Sequence, residues 1–138
     1  MHGKGNYLFP NTERYDGEIV NGRKQGQGTY YYANGNIYEG AWSNDMKNGY
    51  GRFQYHSLSE KYEGNFKDGQ RHGQGTYFYR SGDIYKGNWV KGKKHGQGTL
   101  RYPSGSEYSG EWKDDQVHGK GTFRYSNGDY YNGSWVHG

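Results

Sequence analysis

An all-β fold, an elongated single-layer antiparallel β-meander of tandem 23-residue hairpin repeats, is the class this sequence predicts, and three observations predict it. A frame of Tyr, Gly, aromatic, turn Gly, His-Gly and Gly recurs from end to end, most clearly in YKGNWVKGKKHGQG over residues 85–98. Its leading Tyr falls at Tyr15, Tyr38, Tyr62, Tyr85, Tyr108 and Tyr131, in steps of 23, 24, 23, 23 and 23 residues, a period typical of stacked repeats. Within each unit the residues alternate with period two, the signature of a strand. Tyr85, Gly87 and Trp89 share one face, and after a turn Gly96, Gly98, Leu100 and Tyr102 share parity.

The units follow one another without a gap. Residues 1–14 are a half repeat, because HGKGNYLFPNTER aligns with HGQGTLRYPSGSE from His95 to Glu107. Full repeats occupy 15–37, 38–61, 62–84, 85–107 and 108–130, and 131–138 open another half repeat. The first full unit has Ile19 in the Trp position and Gln25 in the His position. The second carries Asn48 for His and an extra residue in HSLSEK, where the turn glycine is missing. Phe66 stands for Trp in the third, whereas the fourth and fifth keep Trp89 with His95 and Trp112 with His118. Turns such as NGRK, DGQR and KGKK alternate with ANGN, RSGD, PSGS and SNGD, whose Gly and Asn supply positive φ. Each unit is therefore a hairpin, and the whole predicts twelve strands with one aromatic and glycine face and one polar face.

Composition sets the packing scheme. Only 29% of the 138 residues are apolar, so a Leu, Ile and Val core is excluded, yet 26 Gly accompany 17 Tyr, 4 Trp and 5 Phe. Aliphatic poverty suggests disorder, but disorder also requires few aromatics and high net charge, and the net charge is +4. Rings lying over bare backbone are the remaining source of a core. Strand twist of roughly 20° per neighbour then coils the sheet into an aromatic-lined trough, roughly 55 Å long at the usual strand spacing. Stability is expected to be nearest-neighbour. There is no Cys, hence no disulfide frame. No leader pattern or bilayer-length apolar run is present, and the sequence predicts a soluble fragment suited to a reducing compartment.

The pattern YxGxW, a turn Gly, then HGxGxYxY on this period resembles the MORN repeat, the membrane occupation and recognition nexus, over essentially the whole chain. The resemblance implies an elongated antiparallel array and a scaffold or adaptor role in the cytoplasm, at cytoskeletal or membrane structures. It also implies phospholipid binding as an alternative, or service as the accessory region of a larger enzyme.

Chemistry read from the residues themselves points away from catalysis. His72, His95 and His118 invite a shared metal, but equivalent residues lie two strands apart, about 10 Å, too far for ligands about 2 Å from one zinc. The same separation argues against Glu39 and Glu63 as an acid and base pair. Glycine pairs such as Gly96 and Gly98 lack the third glycine and following helix of a dinucleotide loop. No enzyme activity, no cofactor, no metal and no nucleic-acid partner are expected. Lys86, Lys91, Lys93, Lys94 and Arg101 form a basic hairpin able to contact anionic headgroups at about 1 kcal/mol each.

The aromatic face carries the leading expectation. Tyr and Trp favour binding hot spots, and a long aromatic groove suits an amphipathic helix or extended segment of a partner protein. Trp42, Phe66, Trp89 and Trp112 are expected to be core, and Tyr32, Tyr55, Tyr79, Tyr102 and Tyr125, nearer the turns, to line the groove. The half repeats at the two ends suggest unpaired edges and hence a homodimer or end-to-end oligomer.

Overall fold

A computed structural model describes residues 3–135; Met1, His2 and residues 136–138, which belong to the two half repeats, lie outside the described residues. The strands are β1 Gly3–Leu8, β2 Arg14–Val20, β3 Arg23–Tyr31, β4 Ile37–Ser43, β5 Met46–Tyr55 and β6 Glu60–Lys67. They continue as β7 Gln70–Phe78, β8 Ile84–Val90, β9 Lys93–Arg101, β10 Glu107–Lys113, β11 Gln116–Arg124 and β12 Tyr130–Trp135. All twelve form one sheet in chain order, every neighbour antiparallel. This is the expected meander, with no helix among the described residues.

One glycine from every strand stands in a single line across the sheet. Gly5 pairs with Gly17, Gly17 with Gly28, Gly28 with Gly40 and Gly40 with Gly51. The line runs on through Gly64, Gly75, Gly87, Gly98, Gly110 and Gly121 to Gly133. The leading tyrosines lie across it. A Cβ on Gly28 would sit 2.2 Å from the Tyr15 hydroxyl, and one on Gly75 2.0 Å from that of Tyr62. No other residue leaves room for these rings.

Packed in this way, Tyr15, Tyr38, Tyr62, Tyr85 and Tyr108 are the most buried side chains, at 0–2% exposure. Each hydroxyl is satisfied inside its own unit, donating at 2.8–3.1 Å to the carbonyl three residues on: Glu18, Ala41, Asn65, Asn88 and Glu111. Trp42, Trp89 and Trp112 donate from Nε1 to the carbonyls of Gly28, Gly75 and Gly98 at 3.0–3.1 Å. Thus the polar tip of each ring is paired where burial would otherwise penalise it. Edge-to-face contacts then join the rings along the sheet. Tyr38 meets Trp42 and Phe66 at 5.0 and 5.2 Å, Tyr62 meets Phe66 and Trp89 at 5.1 and 5.4 Å, and Tyr85 meets Trp89 and Trp112 at 5.2 Å. Each leading ring bridges its own unit and the next.

The turns are of two kinds. Asn21-Gly22, Asn44-Asp45, Asp68-Gly69, Lys91-Gly92 and Asp114-Asp115 have positive φ at both residues, as a two-residue hairpin of the I′ type requires. At the opposite edge Gly35, Gly82, Gly105 and Gly128 each donate to the carbonyl three residues back, with φ of 92–96°. In the irregular second repeat Ser59 takes this position at φ 55° and donates to the His56 carbonyl at 3.3 Å. The missing glycine is thus replaced by a residue held in the left-handed region, which costs an L-residue about 1–2 kcal/mol.

Two outcomes follow from this packing. Ser59→Gly is expected to stabilise the protein by about 1 kcal/mol and raise Tm by a few degrees in thermal unfolding; an unchanged or lower Tm would contradict the strain. Burial raises the phenol of Tyr15 to about 12 and pushes Tyr38, Tyr62 and Tyr85 well above the ordinary tyrosine range. Their neutral form is favoured in the fold, so the stability they confer is complete below pH 10 and falls as the unfolded chain ionises first above it. Phenolate absorbance followed with circular dichroism is expected to show a late group of tyrosines ionising together with loss of the sheet. One smooth titration near pH 10 over an intact sheet would contradict this.

Candidate partner-binding trough

Trp42, Phe66, Trp89 and Trp112 are buried, at 5%, 5%, 2% and 5% exposure, and with the leading tyrosines they floor the ring face. A second row of rings stands beside this floor. It runs Phe9, Tyr30, Tyr32, Phe53, Tyr55, Tyr77 and Tyr79, with centroids 4.5–5.9 Å apart. Leu100 replaces a ring in the fourth repeat, after which Tyr102, Phe123 and Tyr125 continue at 6.0 and 4.9 Å. Tyr32, Tyr55 and Tyr79 are half-buried and pack against the core, Tyr102 is half-buried against Phe123, and Tyr125 is 50% exposed. All five lie in this second row, at the ends of strands or just beyond them.

Carboxylates fix the outer rim of the row. Glu13 accepts from the Tyr30 hydroxyl at 2.6 Å and from the Ala33 amide at 3.0 Å. Glu60 repeats the arrangement with Tyr77 at 2.6 Å and the Arg80 amide at 3.2 Å. These hydrogen bonds hold the Glu13 carboxyl below its ordinary pKa. Tyr32 and Tyr79 are both pushed up to about 12 by burial, so the row is neutral at physiological pH.

A row of cations crosses the same face. Lys24, Lys47, Arg71 and Lys94 are each the second residue of their strand, in β3, β5, β7 and β9, and Val117 holds the place in β11. The amide of the following unit's turn donates to each of their carbonyls at 2.9–3.0 Å, from Asp45, Gly69, Gly92 and Asp115. The side chains lie over rings. Lys24 Nζ is 5.3 Å from the centroids of Tyr30 and Trp42, and Lys47 Nζ 5.3 Å from Phe53. The Arg71 guanidinium is 4.8 Å from Trp89, and Lys94 Nζ is 5.0 Å from Tyr79 and 5.3 Å from Trp112. All are within range of a cation–π contact. Lys94 also donates to the Tyr79 hydroxyl, and burial pulls the amines of Lys47 and Lys94 below the ordinary lysine value.

The basic hairpin read from the sequence divides between faces. Lys94 turns into the trough, Lys86 and Lys93 are exposed on the polar face by strand alternation, and Lys91 sits in a turn at φ 50°. Arg101 pairs with Glu107 at 3.2 Å. Sequence reasoning thus placed Lys94 with surface cations and passed over Lys24, Lys47 and Arg71. The signal was present: all four share parity with the strand glycines and recur at the step of the leading Tyr. Among the described residues, His, Cys, Asp and Glu form no group of three or more with metal-binding geometry.

The fold has known likenesses. The TCP domain of SAS-4 (dCPAP) from Drosophila melanogaster, solved in complex with a proline-rich motif of Ana2 (dSTIL), superposes with a TM-score of 0.54 at 16% identity, covering 94% of this chain and 76% of that one. The G-box domain of the microcephaly protein CPAP covers 97% of this chain and 100% of its own, at 13% identity and a TM-score of 0.33. No curated protein matches the sequence. The MORN repeat family model matches residues 1–14, 15–37, 38–59, 62–84, 85–107 and 108–130. Six consecutive matches over residues 1–130 make this chain a member of the MORN repeat family.

Proposed function

We propose that this array is a non-catalytic scaffold or adaptor module that holds a partner polypeptide along its ring trough. The observation that carries the reading is the second aromatic row. The leading tyrosines and Trp42, Phe66, Trp89 and Trp112 already form a continuous floor, yet Tyr32, Tyr55, Tyr79 and Tyr102 present half-buried ring area above it. Such rings are stiff and amphipathic, and lose little conformational entropy on binding. The glutamates fixing Tyr30 and Tyr77 and the cations fixed over the floor pre-organise the surface, which lowers the cost of docking. A similar fold in the SAS-4 domain was solved in complex with a proline-rich motif, which supports an extended peptide segment as the class of partner. A flat anionic membrane fits less well, because Lys94 lies in the trough and Arg101 is paired with Glu107, which leaves only Lys86 and Lys93 of the basic hairpin on the open polar face and Lys91 in a turn. On this reading the module works in the cytoplasm, at cytoskeletal or membrane-adjacent structures.

The test is affinity capture from native lysate with the intact chain and with a Tyr79→Ser, Tyr102→Ser variant whose sheet is verified by circular dichroism. The expected result is one polypeptide retained by the intact chain and lost by the variant. Equal retention by both would overturn the reading and leave the outer tyrosines as core.

A further inference from the structure

Lys24 is neutralised within the chain, its Nζ lying 3.3 Å from the Asp45 carboxylate. The described residues supply no ion pair to Lys47, Arg71 or Lys94. Arg71 is nevertheless held in place, donating to the Gly92 carbonyl at 2.7 Å and the Tyr55 hydroxyl at 3.4 Å. Between Lys47 and Arg71 the trough opens into a cleft of about 310 Å³, lined also by Phe53, Tyr55, Phe66 and Gln70. Lys47 and Arg71 are thus fixed and partly buried without a salt bridge, whereas Lys94 has the Asp115 carboxylate beside it, which accepts from its backbone amide at 2.9 Å and partly offsets its charge. A desolvated cation lacking an anion is costly, and a bound carboxylate would relieve that cost.

We propose that the trough takes an acidic polyproline-II segment of a partner polypeptide, with a carboxylate at every third residue seated on Lys47, Arg71 and Lys94. The inference rests on the reading of the trough as a polypeptide groove and adds its chemistry. Successive cations lie two strands apart, about 9.6 Å at the usual strand spacing. A polyproline-II chain returns to the same face every three residues, about 9.3 Å. A helix repeating every seven residues advances about 10.5 Å and overshoots by about 2 Å between Lys47 and Lys94. In an extended strand, residues three apart point to opposite faces. Aromatic-lined grooves also suit the preformed, ring-stacking polyproline-II chain. Lipid phosphate is the weaker occupant, because these charges lie among the rings of a trough, within reach of a side chain but set back from a planar surface.

The experiment titrates the purified chain with fluorescent peptides of four Glu-Pro-Pro, Gln-Pro-Pro or Lys-Pro-Pro triplets, with an acidic seven-residue-repeat helix, and with phosphatidylserine vesicles. The Glu-Pro-Pro peptide is expected to bind about tenfold more tightly than the Gln-Pro-Pro peptide, and to weaken with salt. A Lys47→Glu, Arg71→Glu variant is expected to lose the Glu-Pro-Pro peptide and gain the Lys-Pro-Pro one, which a merely structural role would not produce. A Lys86→Glu, Lys93→Glu variant, altered on the polar face, is expected to bind as the parent does. Equal binding of the Gln-Pro-Pro peptide, tighter binding of the helix, or vesicle binding that depends on Lys47 and Arg71 without peptide binding would each overturn the proposal. If no peptide binds while the Tyr79→Ser, Tyr102→Ser variant still loses its captured partner, this inference falls and the polypeptide groove stands.

Discussion

In each full repeat a tyrosine ring lies flat over the glycine of the next strand, and everything else in this protein is arranged around that contact. A single-layer sheet has no second sheet or helix to bury its face against, so its core must come from its own surface. Facing glycines leave the backbone bare, and a Cβ on Gly64 or Gly87 would come within 2.3–2.4 Å of the Cα of the glycine opposite. The ring fills this strip, and its hydroxyl reaches a carbonyl of its own strand. Edge-to-face pairs, worth about 0.5–1.5 kcal/mol beyond burial, then couple each unit to the next. The result is a one-dimensional array in which neighbours stabilise neighbours.

The trough follows from the same contact. Once the leading rings occupy the glycine line, the remaining rings stack beside it into a second row, in which Phe53 and Tyr77 are buried and Tyr32, Tyr55 and Tyr79 stand half-buried at the rim. The Trp side of the floor leaves space over which the second residue of β3, β5, β7 and β9 can lay a cation. The next unit's turn fixes that residue's backbone. Scaffold and recognition surface are therefore built from one repeat, and charge, ring and turn recur in step.

Much of this was legible in the sequence because a two-residue alternation on a fixed period determines both face and register. The twelve strands, the ring face and the burial of Trp89 and Trp112 all follow from the spacing of Tyr85, Gly87 and Trp89. The dominance of the leading tyrosines was less legible: hydropathy ranks Trp and Phe above a phenol, and only the register shows that Tyr62 covers Gly75. Lys94 was misplaced for a similar reason. In KGKK it reads as one of several turn lysines, yet it pairs across the strand with Trp89 beyond an irregularity in the ladder, and that pairing turns it onto the ring face. The role of Ser59 could not be read at all, because an inserted residue shifts the turn and only the backbone shows which residue took the left-handed position.

The measurement that tests the ring-over-glycine account most directly is a double-mutant cycle on Gly75 and Tyr62, followed by denaturant unfolding. Gly75→Ala alone is expected to cost about 3 kcal/mol, because the new methyl would lie 2.0–2.4 Å from the Tyr62 ring and hydroxyl. In a Tyr62→Val background, where that space is vacated, the same substitution is expected to cost less than about 1 kcal/mol, a coupling of the size seen for residues in direct contact. Strictly additive costs would show that the glycine line serves the backbone alone, and would contradict the account.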